Sequence, residues 1–566
     1  MNAPPRLRPA WQPACIAAAA AAAYATSFAG VFVVDDRGAI AENLSLRHWS
    51  TALLPPPNGL PVTGRPLVNL SLALNYALGG LTPAGYHALN LLIHVGAALA
   101  LLGILRRTLG DGFGFAAALL WAVHPLTTAA VTYVSQRAES LMGLFLLLTL
   151  YAFIRGWRAG SVAACALGMA CKEVMVVAPL LVWTYDVVFT GAGWLQALRR
   201  RRAYYAALAA TWVILAVLLA GSGSRAGTAG FGSDLPWWQY AAAQGGVILH
   251  YVRLALWPAG LVGDYGRKLP GAPAEWIAAW VVILAAVAAT IWLLRRRSPF
   301  GFAGAWFFLI LAPTSTVVPV ATEIVAEQRM YLPLAAVIAV VVALAARLAR
   351  TASVRAAAVA AAAVVLATLT ASRNRVYHSV AAFWTDVAAK QPDNAGAWNN
   401  LGNLAADGRD WAAAEADYRD ALKFAPRYAD AHANLGAVLI RQGRFAEAIP
   451  HYDAALRFDP DDRRWLTARE YARSQAARPH VERGNAALQA GRPDEAMGEY
   501  RAALAEDPDL AEVHNNLGGI LAENQQWAEA EAQFAAAVAL DPGYAEARRN
   551  LQRVRDIRAK LSAGQP

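Results

Sequence analysis

From Ala14 to Ala371 the chain is a succession of apolar runs. A helix needs about 20 residues to cross the ~30 Å core of a bilayer, and most of these runs have that length. They lie near 14–34, 86–105, 112–134, 139–154, 159–171, 174–189, 203–220, 275–294, 300–320, 330–349 and 355–371, eleven expected crossings with two of them short. The first run, Ala14 to Val34, has 21 residues, against ~7–15 for the apolar part of a signal peptide, so it reads as a retained crossing. Only 16% of the 566 residues are charged and 57% are hydrophobic, with mean hydropathy +0.32. A charged share so far below the ~25% of soluble domains excludes a single soluble domain, a disordered chain and a small disulfide scaffold. The three cysteines, Cys15, Cys165 and Cys171, sit in apolar runs and make no metal or disulfide framework.

The charge is divided unequally along the chain. Residues 1–372 carry 26 Lys and Arg against 12 Asp and Glu; residues 373–566 carry 24 against 28. The basic excess belongs to the apolar half, where topology accounts for it, and no nucleic-acid partner is needed. Arg6, Arg8, Arg106, Arg107, Arg155, Arg158, Arg199 to Arg202, Arg295 to Arg297, Arg347, Arg350 and Arg355 occupy one set of loops, opposed only by Asp111 and Asp186. The other set holds ten bases and ten acids. The first set is expected in the cytoplasm. Eleven crossings with the N-terminus inside then place the tail on the exoplasmic side. Residues 160–189 read as two short helices meeting at the outer surface near Lys172 and Glu173. Trp237–Trp257 reads as a juxtamembrane or re-entrant helix, and the path of 222–274 stays open.

After the last crossing a 34-residue period sets in, that of the tetratricopeptide repeat. Gly402, Gly436, Gly484 and Gly518 are spaced 34, 48 and 34 apart, and Pro426, Pro460, Pro508 and Pro542 repeat that spacing. Repeats are expected at 395–428, 429–462, 477–510 and 511–544, with a half-repeat at 377–394, an insert near 461–476 and a capping helix at 545–562. The fold class is therefore all-α: a polytopic membrane bundle over 1–372 followed by a helical solenoid over 373–566, docked close to the membrane. Asn400, Asn434 and Asn516 share one position of the period, where Glu482 is the exception. Their amides suit the backbone of an extended polypeptide, or bonds within and between repeats.

Ionisable residues at the bilayer edge are candidates for chemistry. Asp35 and Asp36 follow the first crossing directly. Adjacent side chains on an extended segment diverge, so one carboxylate is expected to enter a site, as general base on a hydroxyl or as a metal ligand; the alternative is a pair that only ends a helix at the headgroups. On the same side lie Arg65, His87, Asn90, His94, His124, Arg137, Glu139, Lys172, Glu173, Glu327, Arg329 and Tyr331. His87 and His94 are seven apart, not at the i, i+4 spacing of helical metal ligands, so no metal site is assigned. Arg, Lys and His facing a carboxylate at a membrane surface suit a lipid phosphate, whose charge the cations would hold during cleavage.

In order along the chain, Val34-Asp35-Asp36, Arg65-Pro66-Leu67, the run Gly85-Tyr86-His87 to His94, His124-Pro125, Arg137-Ala138-Glu139, Lys172-Glu173 and Glu327-Gln328-Arg329-Met330-Tyr331-Leu332-Pro333 resemble the transmembrane-and-tetratricopeptide-repeat O-mannosyltransferases and their bacterial relatives. The resemblance implies the GT-C fold and an inverting glycosyltransferase. It would move a sugar, mannose or a similar hexose, from a polyprenyl-phosphate donor to Ser or Thr of an exoplasmic polypeptide held by the repeats. It places the acidic pair at Asp35 and Asp36, with Asp35 as base. Many relatives have Asp-Glu there, so the second Asp leaves open which carboxylate acts. Arg65, Lys172 and Arg329 become the phosphate-binding candidates, with His87, His94, His124, Arg137, Glu139, Glu173 and Tyr331 around donor phosphate and sugar. A divalent cation stays open. High alanine and arginine usage suggests a bacterial source, hence the inner membrane and the periplasm. A catalytically inert scaffold, a lipid-precursor transporter, and the same fold acting on lipid or glycan acceptors are the rivals. Clustered outer-face charges argue against the first, and the lack of an internal duplication against the second.

Overall fold

The apolar runs become helices, but proline and polar residues cut them differently from their hydropathy. The computed structural model describes residues 10–56, 61–221, 236–266, 269, 271–315, 320, 323–348 and 351–562; Arg6, Arg8, Arg350 and residues 222–235 lie outside them. Two compact units result, Met1–Asn394 and Ala395–Pro566.

Among the described residues of the first unit, six helices are long and apolar enough to cross a membrane: Pro83–Leu109, Val134–Ile154, Glu173–Thr190, Arg202–Gly221, Pro273–Arg295 and Ala352–His378. Asp111–Ala122 and Pro125–Val131 make a seventh if their 57° bend is one span. The expectation of eleven is therefore met by six or seven. The first run stops being α-helical at Tyr24, where Ser27 Oγ donates to Tyr24 O at 2.7 Å and a 3-10 turn, Ala25–Ala29, takes over. Pro299–Leu311, Pro333–Leu348 and Arg158–Met169 have 13, 16 and 12 residues. Proline sets the first two starts, because it suits a first helical turn but cannot continue a preceding one. The chain does break between Met169 and Glu173, with Lys172 extended, so residues 160–189 form two helices. Trp237–Leu256 is one helix, with Tyr251 buried and accepting from Ala326 N–H at 2.8 Å.

Small residues let these helices approach, as expected where apolar burial alone gives no preference over lipid. A Cβ on Gly143 would stand 2.7 Å from the Tyr331 ring. The end of the last span is stapled by polar side chains. Thr370 Oγ1 donates to Val123 O at 2.8 Å, Asn374 Nδ2 to Ala23 O at 3.1 Å, and Thr132 Oγ1 to Asn374 Oδ1 at 2.7 Å. The half-repeat helix, Val380–Lys390, belongs to this unit. Phe383 packs against Gly263, and Lys390 Nζ donates to Leu261 O at 2.8 Å.

The second unit pairs helices Ala395–Asp407 with Trp411–Phe424, Ala429–Arg441 with Phe445–Leu456, Arg463–Gln489 with Pro493–Glu506, and Ala511–Glu523 with Trp527–Leu540, then ends in Ala545–Ser562. The repeating Ala and Tyr or Phe positions are its core: Ala448, Tyr452, Ala496, Tyr500, Ala530 and Phe534 are all buried. The insert is helical and continuous with the next repeat's first helix, giving the 27 residues of Arg463–Gln489. Asp462 caps it, accepting from Arg464 N–H at 2.8 Å and Trp465 N–H at 3.3 Å.

Neighbouring glycines in the last repeat should respond oppositely to alanine. A Cβ on Gly518 would stand 2.8 Å from the Phe534 ring, whereas one on Gly519 meets nothing within 4 Å. Gly518→Ala should cost about 1–3 kcal/mol by overpacking. Gly519→Ala should gain about 0.5–1 kcal/mol, because glycine loses more freedom on entering a helix. Hydrogen-exchange protection over residues 511–540 of the detergent-solubilised protein checks both signs.

Candidate active site

The Asp35-Asp36 pair opens a helical turn that follows the non-helical segment Gly30–Val33, not the extended segment expected from the sequence. Val31 N–H donates to Tyr377 O at 3.0 Å, which ties the segment to the end of the last span. Val34 has φ +45°, a left-handed conformation that a β-branched residue rarely adopts. Such a residue costs on the order of 1–3 kcal/mol and persists only where its neighbours are held.

Asp36 is the holding group. Its side chain is fully buried, with Oδ2 accepting from Val33 N–H at 3.1 Å and Oδ1 from Ser135 N–H at 2.6 Å. One carboxylate thus closes its own turn and fastens it to the Tyr133–Gln136 segment. Asp35 is half-buried. Its N–H donates to Tyr133 Oη at 3.0 Å. Burial, together with Glu323 and Asp264, pushes the Asp35 carboxyl up to about 6, against the smaller opposing effect of the Tyr133 hydroxyl. Tyr133, Glu323 and Asp264 were not singled out from the sequence. Glu323 and Asp264 could have been noticed among the outer-face acids; nothing in the spacing marks Tyr133.

The cations separate into two groups. Lys172 Nζ bonds Glu139 Oε1 at 2.7 Å, and Arg65 Nη2 meets Glu173 Oε2 at 3.4 Å while Nη1 donates to Pro61 O at 2.6 Å. Adjacency of Lys172 and Glu173 thus brings two ion pairs together. Arg137 and Arg329 are instead engaged by structural partners. Arg137 donates to Asn90 Oδ1 at 2.5 Å, Ser71 O at 3.0 Å and Tyr86 O at 3.1 Å. Arg329 donates to Tyr240 Oη at 3.2 Å, Ile324 O at 3.3 Å and Glu323 O. It holds the loop that presents Glu323.

The histidines are buried in the bundle. His94 bridges Tyr331 Oη and Ala122 O, each at 2.9 Å, with Trp121 and Tyr331 packed around its ring. His124 accepts from Leu126 N–H at 3.1 Å and donates through Nε2 to Ala255 O at 3.2 Å. His87 lies against Gly30, where a Cβ would stand 2.9 Å from Nε2. Among the described residues no three His, Cys, Asp or Glu side chains converge as a metal site requires.

In the repeat unit the asparagine column makes bonds of its own. Asn434 Nδ2 reaches Asn399 Oδ1 and Asn403 Oδ1 at 3.1 Å, across two repeats. Asn400 donates back to Gly396 O at 2.7 Å.

Residues 378–428, 400–463 and 481–554 match the family model of the tetratricopeptide repeat. Protein O-mannosyl-transferase TMTC2 of Homo sapiens is 33% identical over 181 residues, 28% of this chain and 21% of its own length. TMTC4 of Homo sapiens is 28% identical over 226 residues, 33% of this chain and 30% of its own. The chain resembles the protein O-mannosyl-transferases. It spans less than a third of the length of these two curated relatives. Among solved structures, MamA from Desulfovibrio magneticus RS-1 is 18% identical over 29% of this chain and 86% of its own, at a TM-score of 0.17.

Removing one partner of a buried ion pair strands the other. Lys172→Met, which leaves Glu139 at 3% exposure without its cation, should cost about 3–5 kcal/mol, and adding Glu139→Gln should recover most of it. Thermal midpoints of the purified single and double variants in detergent measure this.

Proposed function

We propose that the protein is a multi-pass membrane glycosyltransferase that moves a hexose, mannose or a close relative, from a polyprenyl-phosphate donor to Ser or Thr of an exoplasmic polypeptide. The observation that carries this reading is the division of labour between two adjacent carboxylates. Burial weakens the acidity of both, Asp36 to about 7 and Asp35 to about 6, but Asp36 is engaged by two backbone N–H groups while Asp35 is left half-buried beside the strained Val34. A group of that acidity suits general-base work near neutral pH.

Asp35 would take the acceptor hydroxyl's proton as its oxygen attacks the sugar C1 from the face opposite the phosphate. One displacement of this kind inverts the anomeric configuration, through an oxocarbenium-like transition state. The leaving phosphate gains negative charge as the C1–O bond breaks, and cations stabilise it most where water is excluded. Arg65 and Lys172 are the candidates for that task. Each is already held by a carboxylate, so a phosphate would meet a pre-oriented cation and compete with Glu173 or Glu139. The names of the relatives, together with the repeats, support a protein acceptor. In a bacterium the acceptor side would be the periplasm.

Asp35→Asn should lower the transfer rate about 10²- to 10⁴-fold while leaving the thermal midpoint in place, since Asp36 and not Asp35 carries the fold. Glycopeptide mass spectrometry of envelope proteins should then lose a hexose mass on Ser and Thr peptides, at equal membrane levels of the protein. Unchanged glycopeptides would move lipid or glycan acceptors ahead. The base works as the carboxylate, so the rate should rise with pH through about 6 and level off above it.

A further inference from the structure

We propose that Tyr133 is the positioning residue for the base: its hydroxyl holds the Asp35 backbone and orients the Asp35 carboxylate toward the acceptor. This rests on Asp35 being the base. Tyr133 is 6% exposed, and its ring faces Tyr377 at a centroid distance of 6.5 Å. Its oxygen accepts from Asp35 N–H at 3.0 Å, which leaves the phenolic proton to be donated. The charged groups around that proton are Asp35, Asp36 and Glu323. Both oxygens of Asp36 are engaged by Val33 and Ser135, and Glu323 Oε2 accepts from Gln328 Nε2 at 3.1 Å. The Asp35 carboxyl lies beside this hydroxyl, which opposes the rise in pKa that burial causes.

The strained residue makes this attachment matter. Val34 is kept at φ +45° between two pinned neighbours, Val33 through the Asp36 carboxylate and Asp35 through Tyr133. Without the hydroxyl, Asp35 N–H loses its acceptor and the turn is free to relax toward an ordinary conformation. The carboxylate then leaves the line of attack, with every other group of the site in place.

Tyr133→Phe keeps the ring and its packing and removes only the oxygen. With a synthetic polyprenyl-phosphate-linked mannose and a Ser/Thr peptide, kcat should fall about 10- to 100-fold with the donor KM unchanged, the size expected for misplacing a reacting group. The acidic limb of the rate profile should move to higher pH, because a donor to the carboxylate has gone while Asp36, Glu323 and Asp264 remain. Unchanged kcat, or a loss with no movement of that limb, would overturn the proposal. Carbodiimide labelling of Asp35 against pH, read by peptide mass spectrometry in native membranes, gives a second readout without turnover. Its half-point should move upward in Tyr133→Phe, and an unmoved half-point overturns the proposal. If the wild-type protein transfers no sugar from this donor, the transferase reading loses its support, and the labelling still decides whether Tyr133 holds Asp35.

Discussion

A fully buried carboxylate with both oxygens on backbone N–H groups is the fixed point of the membrane unit. Asp36 joins the turn after the first helix to the beginning of the span Val134–Ile154. Taking a carboxylate out of water is costly unless its charge is met by donors. Here the donors belong to the main chain of two separate segments, so the charge is satisfied only when both are in place. Everything that gives Asp35 its character follows: the left-handed Val34, the half-buried side chain and the hydroxyl beside it. Asp36 therefore holds the turn that carries Asp35.

Most other polar groups in the unit act in the same manner, as internal staples. The four donors of Arg137 and Arg329 that reach carbonyls replace hydrogen bonds the backbone could not obtain from lipid. His94, Tyr331 and Trp121 form a packed cluster whose polar atoms all bond inside it or to nearby carbonyls. An arginine next to a membrane surface is thus as suited to pinning a loop as to gripping a phosphate. Arg65 and Lys172 differ because each also meets a carboxylate, which an anionic ligand can replace.

The repeat unit was legible from its sequence because the signal is periodic: a Gly, an Ala and an aromatic position recur with the period and land in the observed cores, and an exposed Pro recurs at the end of each pair. The number of crossings was less legible. Hydropathy averages over Pro125, Pro299 and Pro333, whereas a helix is ended or bent by one such residue. In the site, the sequence located the Asp35-Asp36 pair and the adjacency of Lys172 and Glu173. The direction in which Arg329 or His124 points was not legible, since a side chain serving a carbonyl and one serving a ligand have the same letter and the same place in the chain. Tyr133 was invisible for a further reason. Its contribution is a contact across 98 residues to a backbone N–H, and no local pattern encodes that.

The helix Arg463–Gln489 changes how the array behaves as a mechanical object. At 1.5 Å per residue it is a strut of about 40 Å, running without a loop through the place where the 34-residue period is broken. Ordinary repeats meet at short turns, each of which can flex a little. Here the first two repeats and the last two share one rod, whose single weak point is Pro479 and its missing backbone donor. A force applied to the C-terminal pair therefore reaches the earlier pair as a rotation of that rod about one residue.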